Sequence, residues 1–222
     1  MGVFDGALDG VTGLTQRQAQ SLAKAGAVTV REYAKREVVL RRGEDPGGIG
    51  ILQSGLLFLE SVNLDGQRRI MDYYGPGDLF WKKSLPDLEK GVYYVITGMK
   101  SRIAFVDDRK ISASWGAHGL RAVLLDHMLR SAQERALMHI DVLGQRSLRQ
   151  KLNALFSFLD REETPGAFRL PFSLTDCADY LGADRSAMMR ELGKMKEEGL
   201  VKVQGRRVEL CRKAGQEGEG RG

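Results

Sequence analysis

Between Ser173 and Leu192 two arginines, Arg185 and Arg190, flank Ser186 and Met189 in a segment otherwise made of small, capping and apolar residues. An arginine fork donates two parallel hydrogen bonds to O6 and N7 of guanine, and the N-terminal end of a reading helix is what enters a major groove. Arg185 is therefore the first candidate for a base-reading side chain. Arg190, about one turn later, either reads a base or holds a phosphate.

The segment itself predicts two short helices around a tight turn. Thr175 is suited to cap the first helix and to meet a phosphate, Gly182 to leave that helix left-handed, and Asp184 to cap the second. Ala178 and Leu181 then face inward, as do Met188, Leu192 and Met195 at steps of four and three. Arg185, Ser186, Met189 and Arg190 are left together on the outward face.

Beyond Glu197-Glu198-Gly199-Leu200, the runs Val201-Lys202-Val203 and Arg207-Val208-Glu209-Leu210 alternate as a hairpin across Gln204-Gly205-Arg206. Such a hairpin is a wing. Its Lys202, Arg206 and Arg207 are candidates for phosphate contact, which strengthens binding without carrying sequence information; for Lys202 a solvated surface position is an equal alternative. From Arg185 to Lys213 the chain holds nine basic residues (Arg185, Arg190, Lys194, Lys196, Lys202, Arg206, Arg207, Arg212, Lys213) against four acids, Glu191, Glu197, Glu198 and Glu209. The whole chain carries a net charge of +5 and a pI near 9.2, so the positive excess sits where the motif lies.

Other chemistries find no footing. There is no Ser/His/Asp grouping, no Gly-Lys-Ser phosphate loop and no convincing carboxylate pair, so an enzyme is not expected. Cys177 and Cys211 are too few for a disulfide framework and lack metal-site spacing. His118, His127 and His139 fall in or beside one helical stretch, where surface or interface roles suit them better than haem or metal ligation. No metal and no cofactor is expected. The chain contains no run of eighteen apolar residues and starts without a basic and greasy leader, so a cytoplasmic protein without a membrane span is expected.

The elements that must position these residues follow from texture. Thr15 to Lys24 has an amphipathic look, with Thr15 as a plausible N-cap and Leu14, Gln18, Leu22 and Ala25 near helical register. From Val28 to Asp107 short apolar runs alternate with turn signals at Arg42-Gly43, Pro46-Gly47-Gly48, Ser54-Gly55, Asp65-Gly66, Gly75-Pro76-Gly77 and Gly98. That spacing predicts many short antiparallel strands in a sandwich or roll.

From about Ala117 to Leu143 apolar residues return at helical intervals, Leu125, Leu129, Ala132, Ala136, Ile140 and Leu143, with Leu120, Leu124 and Met128 widening the stripe. This seam suits a two-chain interface, the plainer alternative being a helix packed only on its own roll. Leu148 to Asp160 predicts another helix, ending before Thr164-Pro165-Gly166, and the glycine-rich tail after Lys213 predicts disorder. The expected fold is α+β: a sensing β-roll over 1–114, a dimerisation helix over 115–144, a winged helix-turn-helix over 145–213 and a tail over 214–222.

These residues carry a resemblance. The segment Thr175–Leu200 resembles the C-terminal module of the Crp/Fnr regulators, and Gly43-Glu44, Gly55, Asp65-Gly66 and Gly75-Pro76-Gly77-Asp78-Leu79-Phe80 resemble, in order, the glycine turns of that family's cyclic-nucleotide-binding-like roll. The resemblance implies a jelly-roll sensor, a long dimer helix and a homodimer bound to an inverted repeat of double-stranded DNA. RNA polymerase and an anionic small-molecule effector are candidate further partners. The alternative is a non-catalytic ligand-binding or scaffold protein whose winged helix meets other proteins.

Departures from the family pattern narrow the effector. Members that bind cyclic AMP follow the Gly-Asp turn with Gly-Glu and then an arginine for the phosphate. Here Trp81-Lys82-Lys83-Ser84 and Gly91-Val92-Tyr93-Tyr94 occupy those places, so cyclic AMP is not expected. The cysteine cluster of the iron–sulfur members is also missing. An anionic, aromatic or carboxylated ligand held by Lys82 or Lys83 against Trp81, with Tyr93 and Tyr94 nearby, is the sharper expectation; core aromatics with solvated lysines is the plainer one. Many members also place Arg-Glu-x-x-x-Arg in the reading helix, where this chain has Ser186 in place of the glutamate, so its half-site is expected to differ at that base.

Overall fold

A computed structural model describes residues 27–82, 85, 92–107, 109–110, 118–162 and 166–211. The expected helix at Thr15–Lys24, Lys83, Arg212 and Lys213, and the tail lie outside the described residues.

The short apolar runs fold as eight strands, β1 (Val28–Tyr33), β2 (Val38–Arg41), β3 (Ile49–Ser54), β4 (Leu57–Val62), β5 (Arg68–Tyr74), β6 (Leu79–Phe80), β7 (Val92–Thr97) and β8 (Ser101–Val106). They pair antiparallel in two four-stranded sheets, ordered β1-β8-β3-β6 and β2-β7-β4-β5. Strand alternation sorts the side chains into two cores. Leu40, Leu57 and Val95 of one sheet meet Leu52, Phe80 and Phe105 of the other. On the far face of the first sheet Ile51, Leu79, Trp81 and Val106 pack with Leu124, with Leu125 and Met128 beside them.

Glycine is required at the β3–β4 turn: Gly55 has φ 106, and a Cβ there would run into the Ser101 hydroxyl and the Lys100 carbonyl. In the β1–β2 turn the non-glycine Arg36 takes φ 66. Its guanidinium donates to the fully buried Glu60 carboxylate at 2.8 Å, which Arg68 also grips at 2.9 Å, so the buried charge is paired.

A 27-residue helix, α1 (His118–Gly144), follows; contacts divide the chain into units 1–136 and 137–222, a boundary inside this helix. The second unit holds α2 (Leu148–Glu162), β9 (Ala167–Arg169), α3 (Leu174–Leu181), α4 (Arg185–Glu197), β10 (Val201–Gln204) and β11 (Arg207–Leu210). The strand β9 goes beyond the two expected from sequence, making a three-stranded sheet ordered β10-β11-β9. Its Phe168 ring lies 5.7 Å from Phe156 of α2, closing the core on that side. Among the described residues no helix is long and apolar enough to cross a membrane.

Candidate nucleic-acid interface

The first helix of the motif, α3, is capped by Ser173, whose backbone is extended and whose side-chain oxygen accepts the Asp176 amide at 3.2 Å. The expected cap, Thr175, is instead an exposed residue of the first turn, a correction the backbone makes plain: capping needs a non-helical residue two or three before the amide it serves. Gly182 leaves the helix left-handed at φ 60. Asp184 caps α4 by accepting the Ala187 amide at 2.8 Å.

All four terminal carbonyls of α3 have donors. Ala183 N serves Ala178 O, Gly182 N serves Asp179 O, His139 Nε2 lies 2.8 Å from Tyr180 O, and Lys151 Nζ lies 3.5 Å from Leu181 O. His139, read from sequence as a surface or interface residue, is buried and stacks on the Tyr180 ring with centroids 3.9 Å apart.

Met188, Leu192 and Met195 of α4 are buried, each contributing about 1.5–3 kcal/mol by removal from water. That anchors one face of α4 and leaves Arg185, Ser186, Met189 and Arg190 exposed on the other. From α2, Arg149 reaches across to Glu191 and Glu198 of the α4 region.

In the wing, β10 and β11 pair in register from Val201↔Leu210 to Gln204↔Arg207, with Gly205 at φ 60 in the turn. The three expected phosphate ligands have different surroundings. Lys202 donates to Glu209 at 2.9 Å, Arg206 donates to the Pro171 carbonyl at 2.9 Å, and Arg207 is exposed. Arg207 stands opposite Arg169 of β9, and both line a groove of about 390 Å³ with Arg206, Gln204 and Gly205.

The described members of the expected effector site are distributed rather than gathered. Trp81 is in the core under α1, and Lys82 is ion-paired with Asp45. Tyr93 is buried, while its neighbour Tyr94 points to the other face of the sheet, opposite Glu60 and Arg41; burial and Glu60 raise its phenol above the ordinary value. Lys83 lies outside the described residues. What approaches β5 is Arg135 of α1: its guanidinium donates to Asp72 at 3.0 Å and to Asp78 at 2.7 Å and lies 5.0 Å from the Tyr74 ring centre. Burial opposes its charge and the two carboxylates more than restore it.

Along α1 the expected seam divides. Leu125 packs toward the roll core, Ala132 is half-buried, and Leu129, Ala136 and Ile140 are exposed, Leu129 by 65% and Ile140 by 66%; Leu137 and Leu143 extend the exposed apolar stripe. Among the described residues no cluster of metal-binding side chains occurs.

The chain is similar to known proteins over both units. Residues 30–113 match the cyclic nucleotide-binding domain and residues 150–215 the Crp-like helix-turn-helix domain. It is 26% identical to the regulatory protein HlyX of Actinobacillus pleuropneumoniae, over 80% of this chain and 76% of that protein. It is 22% identical to the transcriptional activator FnrL of Cereibacter sphaeroides, over 86% of this chain and 82% of that protein. Among solved structures, FixK2 from Bradyrhizobium japonicum shares the fold with a TM-score of 0.68 at 22% identity, over 83% of this chain and 93% of that one. With a roll and a Crp-like reader in that order, the chain belongs to the Crp/Fnr family of DNA-binding transcription regulators.

Proposed function

We propose that the protein is a sequence-specific regulator that binds an inverted repeat as a homodimer and answers a signal other than cyclic AMP. The observation that carries the reading is α4, whose Met188, Leu192 and Met195 are buried while Arg185, Ser186, Met189 and Arg190 stand exposed on one face. In this reading Arg185 contacts a guanine, Arg190 a base or phosphate, Ser186 and Met189 the neighbouring base edges, and Thr175, Lys202, Arg206 and Arg207 the backbone.

The homodimer is supported by the solvent-facing apolar stripe of α1, Leu129, Leu137 and Ile140, which a second copy would bury. A two-fold pair of readers then meets half-sites about 34 Å apart. The departure from cyclic AMP is supported by Trp81 and Lys82 at the places of the Gly-Glu pair, one in an apolar core and the other tied to Asp45. RNA polymerase is the natural further partner of such a regulator. A scaffold role for the winged helix has no specific observation in its favour.

Selection from random duplex DNA tests the reading. The expected product is an inverted repeat whose half-site departs from the usual family sequence at the base facing Ser186. Recovery of the ordinary family half-site would refute the specificity, and no enrichment at physiological salt would refute the function.

A further inference from the structure

Arg149 stands in the first turn of α2, where the helix dipole disfavours a cation, and that turn carries no acid to offset it. Glu198 stands at the C-terminal cap of α4, where the dipole disfavours an anion. Each side chain is misplaced by the rules of its own helix. The two mismatches cancel in the tertiary structure: Arg149 Nη1 and Nη2 donate to the two Glu198 carboxylate oxygens at 2.6 and 2.7 Å, and Nε donates to Glu191 at 2.5 Å. A local rule broken at both ends of one contact marks a device with another purpose.

We infer that Arg149 is a positioning residue for DNA reading, a clamp that fixes the tilt and rotation of α4 from outside the helix-turn-helix. This rests on the reading face proposed above for α4. The two anchors are seven positions apart, roughly 10 Å along a helix axis, so the guanidinium holds α4 at two points and not one. Glu191 directly follows Arg190, so the clamp grips α4 beside the side chains that would meet base edges. A planar fork serves two carboxylates at once, whereas an ammonium is a point charge on a flexible stem. Base contacts need alignment that phosphate contacts do not, so loss of the clamp weakens sequence reading more than general attraction to DNA.

The test compares the full-length wild type with Arg149→Gln and Arg149→Lys. Binding is measured to the duplex selected by the wild type and to a scrambled duplex, over a range of salt. Arg149→Gln is expected to lose about ten-fold on the selected duplex, part of one bidentate contact. On the scrambled duplex it stays within about two-fold with the salt slope kept. Arg149→Lys falls between.

Unchanged affinity for the selected duplex, or a parallel fall on both duplexes, overturns the clamp. Should Arg149→Gln not fold, Arg149→Lys carries the same comparison. If the wild type does not discriminate between duplexes, the proposed function fails by itself, and the clamp is read by amide hydrogen exchange. Arg149→Gln must then speed exchange across 185–197 relative to 174–181, and equal exchange overturns it.

Discussion

At the scale of single residues, the two cysteines differ in what surrounds the sulfur. Cys177 is fully buried in α3, and burial, with the Asp176 charge second, pushes its thiol from 9.0 up to about 12; Cys211 is partly exposed. The thiolate is the reactive form. A short iodoacetamide pulse at pH 8 on the native protein will therefore label Cys211 and spare Cys177, as peptide mass mapping would show, and equal labelling would contradict the packing. Because the folded state holds this proton more tightly, the thiol's effect on stability is absent below the ordinary thiol value and becomes an increasing loss as pH rises from there toward 12. The residues proposed to meet DNA divide in the same way by surroundings. Arg185→Ala is expected to cost about 1–3 kcal/mol on the selected duplex and to relax preference at one base pair. Arg207→Ala should weaken all duplexes alike and lower the slope of log K against log salt by about 0.9. Lys202→Ala should change that slope less, since its ammonium already rests on Glu209. The exposed face of α4 was legible in the sequence because apolar steps of four and three, with Asp184 ahead of them, define one helix and its outward side. The cap of α3 was not: Ser173 and Thr175 carry the same capping oxygen, and only backbone angles separate them. Nor was Arg149, because its partners are 42 and 49 positions away. A cation in the first turn of a helix without acids was the one available hint.

Among the elements, α1 has to satisfy two kinds of neighbour. Its Leu124, Leu125 and Met128 belong with the roll core, while Leu129, Leu137 and Ile140 face water. The sequence gives these positions the same apolar character, so it shows a wide stripe but not which part the roll takes. Ile140→Glu and Leu137→Glu place charges on the exposed part only, and each is expected to leave the fold intact and shift the protein toward monomer in sedimentation velocity, with operator affinity falling in step. A monomeric wild type would remove the basis of this prediction. Arg135 is the opposite case, a charged position in the helical run that the periodicity leaves unassigned. Its partners Asp72 and Asp78 come from β5 and the turn after it, and Asp78 also accepts the Gly75 amide at 2.7 Å, so the guanidinium ties α1 to the Gly-Pro-Gly-Asp turn. Burial outweighs the pull of Arg135 and lifts the Asp72 carboxyl above its ordinary value. Arg135→Ala leaves two half-buried carboxylates without their cation and should cost roughly 1–3 kcal/mol in chemical denaturation. Adding Asp72→Asn to that variant should recover part of the loss, whereas purely additive losses would show that the pair does not interact. The third strand of the wing, β9, escaped the sequence reading because its three residues are too few to show alternation and follow a Pro-Gly turn signal.

For the molecule as a whole, the order of a roll, a long helix and a winged helix-turn-helix was readable because glycine turns and helical periodicity are local signals repeated along the chain. An effector site is a different kind of feature, assembled from side chains whose faces alternate along strands. Trp81 and Phe80 are neighbours in sequence and lie in different cores, and Tyr93 and Tyr94 separate in the same way. Adjacency in the sequence therefore sets these side chains on different faces. Where Arg135 meets Asp72 and Asp78, the roll holds α1 through a cation of its own, and Lys82 is engaged by Asp45. A cyclic nucleotide phosphate would need a cation free to pair with it and would find Asp72 and Asp78 beside that guanidinium, a competition that costs binding free energy. Adding cyclic AMP at millimolar concentration is accordingly expected to give no binding heat in calorimetry and to leave operator affinity within two-fold of its ligand-free value, because a ligand shifts an equilibrium only by its differential affinity for the two states. Saturable heat together with a ten-fold change in operator affinity would mean that the roll rearranges to expose a phosphate cradle. In that event the same titration on Arg135→Met, where no cation remains to be displaced from Asp72 and Asp78, would separate two routes: a response that disappears assigns the phosphate to Arg135, and a response that persists assigns it elsewhere in the roll.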